Sequence, residues 1–173
     1  MTTTATASQK STIVRTKKNP KLSLIRAAFR VLDRIAPDRA GRWALDIWCT
    51  LPANPGRRRD ERPYAGVVST AELPGGRSMV VESWGEGPTV YLVHGWGGWR
   101  GQLGAFVAPL VAAGHRVVAF DAPSHGDSGP GLLGTGKSLG PELADALRAV
   151  VDQHGAPSAM VAHSLGCVTT ALA

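Results

Sequence analysis

The stretch Val161-Ala162-His163-Ser164-Leu165-Gly166 decides the reading of this chain. An apolar, β-type run over Ser158–Ala162 leads straight into a serine, and a helical pattern over Gly166–Ala173 follows at once. A strand that becomes a helix within so few residues has no room for bulky side chains two positions before and two after the serine. Ala162 and Gly166 meet that demand. The turn holds a hydroxyl out at the end of a sheet, beside a helix N-terminus.

Working outward, the preceding 100 residues are short β-branched runs separated by turns. Gly66–Ala71 and Ser78–Trp84 read as strands joined by Pro74-Gly75-Gly76, and Thr89–Val93 is a wholly apolar third strand. The pattern predicts a helix over Gln102–Ala113 stopped by Gly114, a strand over His115–Phe120, and a helix over Leu139–Gln153. Leu143, Leu147, Val150 and Val151 form the buried face of that last helix. The order β-β-β-α-β-α-β-α argues for an α/β fold with a mostly parallel sheet and helices on both faces.

Two further strand ends carry chemistry. His94-Gly95-Trp96-Gly97-Gly98 follows the third strand directly, and a glycine-rich turn there lets backbone N–H groups approach a developing negative charge. The N–H groups of Trp96 and Leu165 are the candidate donors, each typically worth about 3 kcal/mol in a transition state. After the next strand comes Asp121-Ala122-Pro123-Ser124-His125-Gly126-Asp127-Ser128.

In order and spacing, residues 94–98, 120–128 and 162–166 resemble the oxyanion loop, the D-x-P-x-x-G-x-S turn and the nucleophile elbow of the α/β-hydrolase superfamily. The resemblance covers residues 64–173. It implies Ser164 as nucleophile, an oxyanion hole at Trp96 and Leu165, and esterase-like hydrolysis of a small-molecule substrate through an acyl-enzyme, with no cofactor or metal. The superfamily's triad runs Ser, then Asp or Glu, then His. None of the nine residues after Ser164 is Asp, Glu or His. The expectation is therefore the first part of the fold, its catalytic acid and histidine missing and its elbow strand an exposed edge. Such a chain has negligible activity alone, because a serine without a base is a weak nucleophile. The alternative from the same scaffold is an inactive interaction fragment.

Other readings compete locally. Gly131-Leu132-Leu133-Gly134-Thr135-Gly136-Lys137-Ser138 fits the phosphate-loop pattern, and residues 129–134 fit G-x-G-x-x-G. Both need a strand feeding the first glycine, and the strand pattern ends near Phe120. The bland reading is a loop entering a helix. Ser164 itself could be only a helix cap. His94 and His163 are read as orienting loops, Asp121 as stabilising its turn, and Cys167 as a packed free thiol.

The chain has 173 residues and a formal net charge of +6, unevenly spread: residues 1–63 carry +9 and the remainder −3. Two cysteines exclude a disulfide framework and favour a reducing, cytoplasmic setting. The division expected is a basic tail and helical extension over 1–62 and a hydrolase-like part over 63–173. Residues 1–18 read as a mobile tail and Asn19-Pro20 as a helix start. Leu22, Ile25, Phe29, Leu32 and Ala36 then share one helical face, off which Lys21, Arg26, Arg30 and Arg34 stay. A second short helix over Asp38–Trp48 should turn Ala40, Trp43, Ile47 and Trp48 inward, before a linker from Pro52 to Arg59. This segment reads foremost as a helical pair packed on the main body. Its composition also overlaps with transit peptides and with helices that lie on anionic membranes. Nucleic acid is not expected, because the cations are not interleaved with aromatics.

Overall fold

Apolar residues two apart on each strand face the same way, so a sheet covered on both sides reads as continuous hydrophobic runs. Thr89–Val93 is such a run, buried along its whole length. The computed structural model describes residues 20–52 and 60–173. It contains strands β1 (Val67–Leu73), β2 (Arg77–Trp84), β3 (Thr89–Val93), β4 (Arg116–Phe120) and β5 (Pro157–Ala162). Helices are α1 (Pro20–Ile35), α2 (Pro37–Cys49), α3 (Val107–Ala112), α4 (Gly140–His154) and α5 (Leu165–Leu172), with a 3-10 helix at Arg100–Phe106.

The sheet order is β1-β2-β4-β3-β5. β2 is antiparallel to both its neighbours, while β3 is parallel to β4 and β5. Four strands thus point one way and β2 is reversed. Alternation splits the core in two. Tyr91, Val93, Val118 and Phe120 pack with Leu143, Leu147 and Val150 of α4 on one face. Leu92, Val117 and Ala119 pack with Trp84 and Val107 on the other. The elbow strand β5 lies at one edge of the sheet, and its first three residues are exposed.

Several expectations need correction. The helix expected over Gln102–Ala113 is instead the 3-10 helix followed by α3, with Leu103 out of helical conformation between them. Gly101 and Gly104 are weak helix formers, and Gly104 sits so close to the backbone of Glu61 and Arg62 that any Cβ would collide. Cys167 is exposed rather than packed; Cys49 is the buried thiol. Trp48 does not turn inward but is 81% exposed, and Ile47 is also exposed, whereas Ala40 is buried. Pro37 opens α2 rather than merely closing α1, consistent with proline's preference for a first helical turn. The expectations for residues 1–19, including the Asn19 cap, and for 53–59 in the linker lie outside the described residues.

The chain forms two compact units, Met1–Leu45 and Asp46–Ala173. Within the first, the Phe29 ring stacks on Trp43 with centroids 4.3 Å apart and planes at 12°. No residue of α1 is fully buried. Among the described residues, no helix is long and apolar enough to cross a membrane.

Candidate active site

Ser164 sits at φ 53°, ψ −121° between β5 and α5. Among the described residues, only Ser124 and Ser164 combine a side chain with positive φ. An L-residue there is strained, and such strain persists only where the surroundings impose it. They do so here. His163 N–H donates to Val93 O at 3.0 Å, continuing the β3–β5 pairing into the turn, and Gly166 N–H donates to His163 O at 2.8 Å. At Gly166 a Cβ would meet the carbonyls of Val93 and His94 at 2.5 and 2.7 Å, so only glycine lets α5 begin this close to β3. Ser164 is exposed, and although it occupies the N-cap position its side chain makes no cap hydrogen bond. The hydroxyl is not consumed by the helix it precedes.

The turn after β3 lies against this elbow. A Cβ on Gly95 would be 2.9 Å from His163 O and 3.0 Å from the Ser164 Cβ. Trp96 follows Gly95, and Leu165 opens α5, where the first N–H groups have no intrahelical acceptor. The structure therefore brings the segments bearing Ser164, Trp96 and Leu165 together. Gly97 takes φ 69°, and Gly98 N–H donates to Gly95 O at 3.0 Å, closing the turn.

His94 is buried and works as a strut. Ala122 N–H donates to its Nε2 at 3.1 Å, which leaves Nδ1 as the protonated nitrogen, 2.8 Å from Gly95 O. The ring thus ties the turn after β3 to the one after β4. His125 packs between His94 (centroids 5.0 Å) and the edge-on Trp96 indole (5.6 Å). His163, by contrast, is exposed at the elbow.

Beneath both turns lies an ion network that sequence reasoning missed, apart from Asp121. The Asp121 carboxylate accepts from the backbone N–H of Arg100 at 2.6 Å and of Asp127 at 2.9 Å, and it pairs with the Arg100 guanidinium. Arg100 also reaches Glu82 at 3.0 Å and Asp127 at 2.8 Å, and Glu82 binds Arg62 at 2.7 Å. Asp121, Glu82 and Arg100 are buried, and buried charges persist when paired in this way. Burial pushes the Asp121 carboxyl up, against the two N–H donors and Arg100 that pull it down. Burial raises Glu82 too, but Gly66 N–H, Arg62 and Arg100 outweigh it and leave that carboxyl below its ordinary value. Gly126, at φ 51°, leaves room for the Asp121 carboxylate; a Cβ there would sit 2.1 Å from its carbon. Ser128 Oγ donates to Asp121 O at 2.5 Å and accepts from Val80 N–H at 2.9 Å. Asp, Gly and Ser at 121, 126 and 128 are thus accounted for as one turn. The sequence signal for Arg100 was a lone cation after a glycine-rich apolar stretch.

The phosphate-loop condition is not met. β4 ends at Phe120, and residues 131–138 form turns rather than a strand exit. Leu132 N–H, which would have to face phosphate, donates to Glu142 at 2.7 Å. Lys137 pairs with Asp46.

Residues 90–173 match the model of the alpha/beta hydrolase family. The chain is 29% identical over 137 residues to the dihydrolipoyllysine-residue acetyltransferase component of the acetoin cleaving system of Cupriavidus necator, covering 79% of this chain and 36% of that one. Among solved structures it is similar to an epoxide hydrolase from Vigna radiata (26% identity, TM-score 0.53, 61% of this chain and 34% of that one). It is also similar to a thioesterase domain from the curacin biosynthetic pathway (33% identity, TM-score 0.52, 61% and 40%). The chain spans little more than a third of the length of these relatives. A serine on a strained strand-to-helix turn, a glycine turn pressed against it and a matching family model together make this chain, over residues 90–173, a member of the α/β-hydrolase superfamily.

Proposed function

We propose that this chain carries the nucleophile and oxyanion half of an acyl-transfer site. Ser164 Oγ attacks an ester-like carbonyl, its proton passing to a base. The carbonyl oxygen takes the negative charge, held by the Trp96 and Leu165 N–H groups. Collapse expels the alcohol and leaves an acyl-serine, which water or another acceptor resolves. The observation that carries the reading is the strained, exposed Ser164 pressed against Gly95. The names of the thioesterase and acetyltransferase-component relatives favour acyl chemistry over other reactions of the fold.

Neither His94 nor the residues that follow Ser164 supply it with a general base. His94 has both ring nitrogens engaged in holding the turns, and residues 165–173 contain no Asp, Glu or His. An oxyanion hole and binding without the full triad still leave an acceleration on the order of 10³-fold over water. The expected behaviour of the chain alone is slow acylation without turnover. Incubation with p-nitrophenyl acetate and peptide mass spectrometry should find an acetyl group on Ser164 that is absent in Ser164→Ala. No adduct at Ser164, or one only elsewhere, would overturn the nucleophile assignment. Steady turnover that disappears in Ser164→Ala would instead overturn the claim that the chain alone lacks a base.

A further inference from the structure

Helix α1 carries two apolar rows, and its own unit uses one of them. Phe29 stacks on Trp43, and Leu32 and Ala36 on the same side are half-buried. Leu24, Val31 and Ile35, spaced seven and four apart, form a second row about a third of a turn round the helix. These three are 72%, 57% and 73% exposed. Arg34 flanks this row on one side with Arg30 beyond it, and Lys21 flanks the other. Asp33, the sole acid of α1, lies on the opposite side of the helix. Exposed apolar residues in line, bordered by cations and remote from the one carboxylate, are the arrangement of a helix lying in the plane of a membrane surface. At 16 residues, α1 is about 24 Å long.

The geometry points to α1 as an interfacial helix that binds anionic lipid bilayers. Leu24, Val31 and Ile35 enter the headgroup–acyl boundary, while Lys21, Arg30 and Arg34 meet the lipid phosphates. Charge complementarity selects this occupant. Nucleic acid would satisfy the cations but leave the apolar row in water, and the cations disfavour a basic or neutral apolar partner. The inference is independent of Ser164 and its chemistry.

The test is sedimentation of the whole chain with neutral phosphatidylcholine vesicles and with vesicles in which about a third of the lipid is phosphatidylglycerol. Binding is expected only to the anionic vesicles, weakening as salt rises. Leu24→Glu with Val31→Glu should lower the partition at least about tenfold, and so should Arg30→Gln with Arg34→Gln, with circular dichroism unchanged. The second pair leaves the apolar row intact, so a folding failure of the first does not shield the proposal. Equal binding to both vesicle types would overturn it, as would no binding to either. Anionic binding indifferent to Leu24→Glu/Val31→Glu would also do so, because it would trace to bare charge on Lys10–Lys18. So would tighter binding to duplex DNA than to the anionic vesicles.

Discussion

Replacing Ser164 separates the backbone demand at the elbow from the hydroxyl. A side chain at φ 53°, ψ −121° costs on the order of 1–3 kcal/mol. Glycine relieves that strain, since it adopts positive φ freely. Glycine also loosens the unfolded chain, which offsets about 0.4–1 kcal/mol. The serine side chain makes no cap hydrogen bond that would be lost. Ser164→Gly is therefore expected to stabilise the protein by about 0.5–2 kcal/mol, a rise of roughly 2–6 °C in Tm. Ser164→Ala keeps the Cβ and the strain, and should lie within about 0.5 kcal/mol of the parent. Urea unfolding followed by tryptophan fluorescence, with thermal melts alongside, measures both. Two results would refute the reasoning. A Gly variant less stable than the parent would mean that the elbow imposes no strain. An Ala variant weaker by more than about 1 kcal/mol would mean that the hydroxyl is a structural cap.

Other consequences follow from the buried contacts. Gly126→Ala drives a Cβ into the Asp121 carboxylate and breaks its pairing with Arg100, so a loss of about 3–5 kcal/mol is expected in denaturant unfolding. Glu82 has a folded pKa below its unfolded value near 4.5, so its contribution is present above that pH and is lost as the pH falls through the folded value. Glu82→Gln should be less stable at pH 7 by about 3 kcal/mol and show a shallower loss below pH 4.5 than the parent, read from unfolding midpoints across pH. Asp121, pushed up by burial, acts with the opposite sign in that range, so the Glu82→Gln comparison isolates the Glu82 part. Lys137→Ala removes only an exposed pair with Asp46; the change in stability should stay below about 1 kcal/mol, and ATP titration should give the same flat response before and after.

Strand and helix order was legible in the sequence because each element here is a short run of one periodicity bounded by glycine or proline. The strands β1 to β5 lie within two residues of where alternation and turn residues place them. Serine 164, flanked by Ala162 and Gly166, could be picked out because a tight strand-to-helix reversal restricts residue size locally. Local pattern could not reveal that Gly95 touches the elbow, that His94 bridges two turns, or that Arg100 holds Glu82, Asp121 and Asp127 at once. Those contacts join residues 18 to 69 positions apart, and sequence spacing carries no distance across a sheet. The 3-10 helix escaped for the same reason, since Gly104 is required by the backbone of Arg62, far away in sequence. Periodicity and residue size by themselves determined which segments are strands and which serine lies on a turn. Only the tertiary structure decided that this serine is strained, exposed and pressed against a glycine turn, because strain and proximity arise from how distant segments pack.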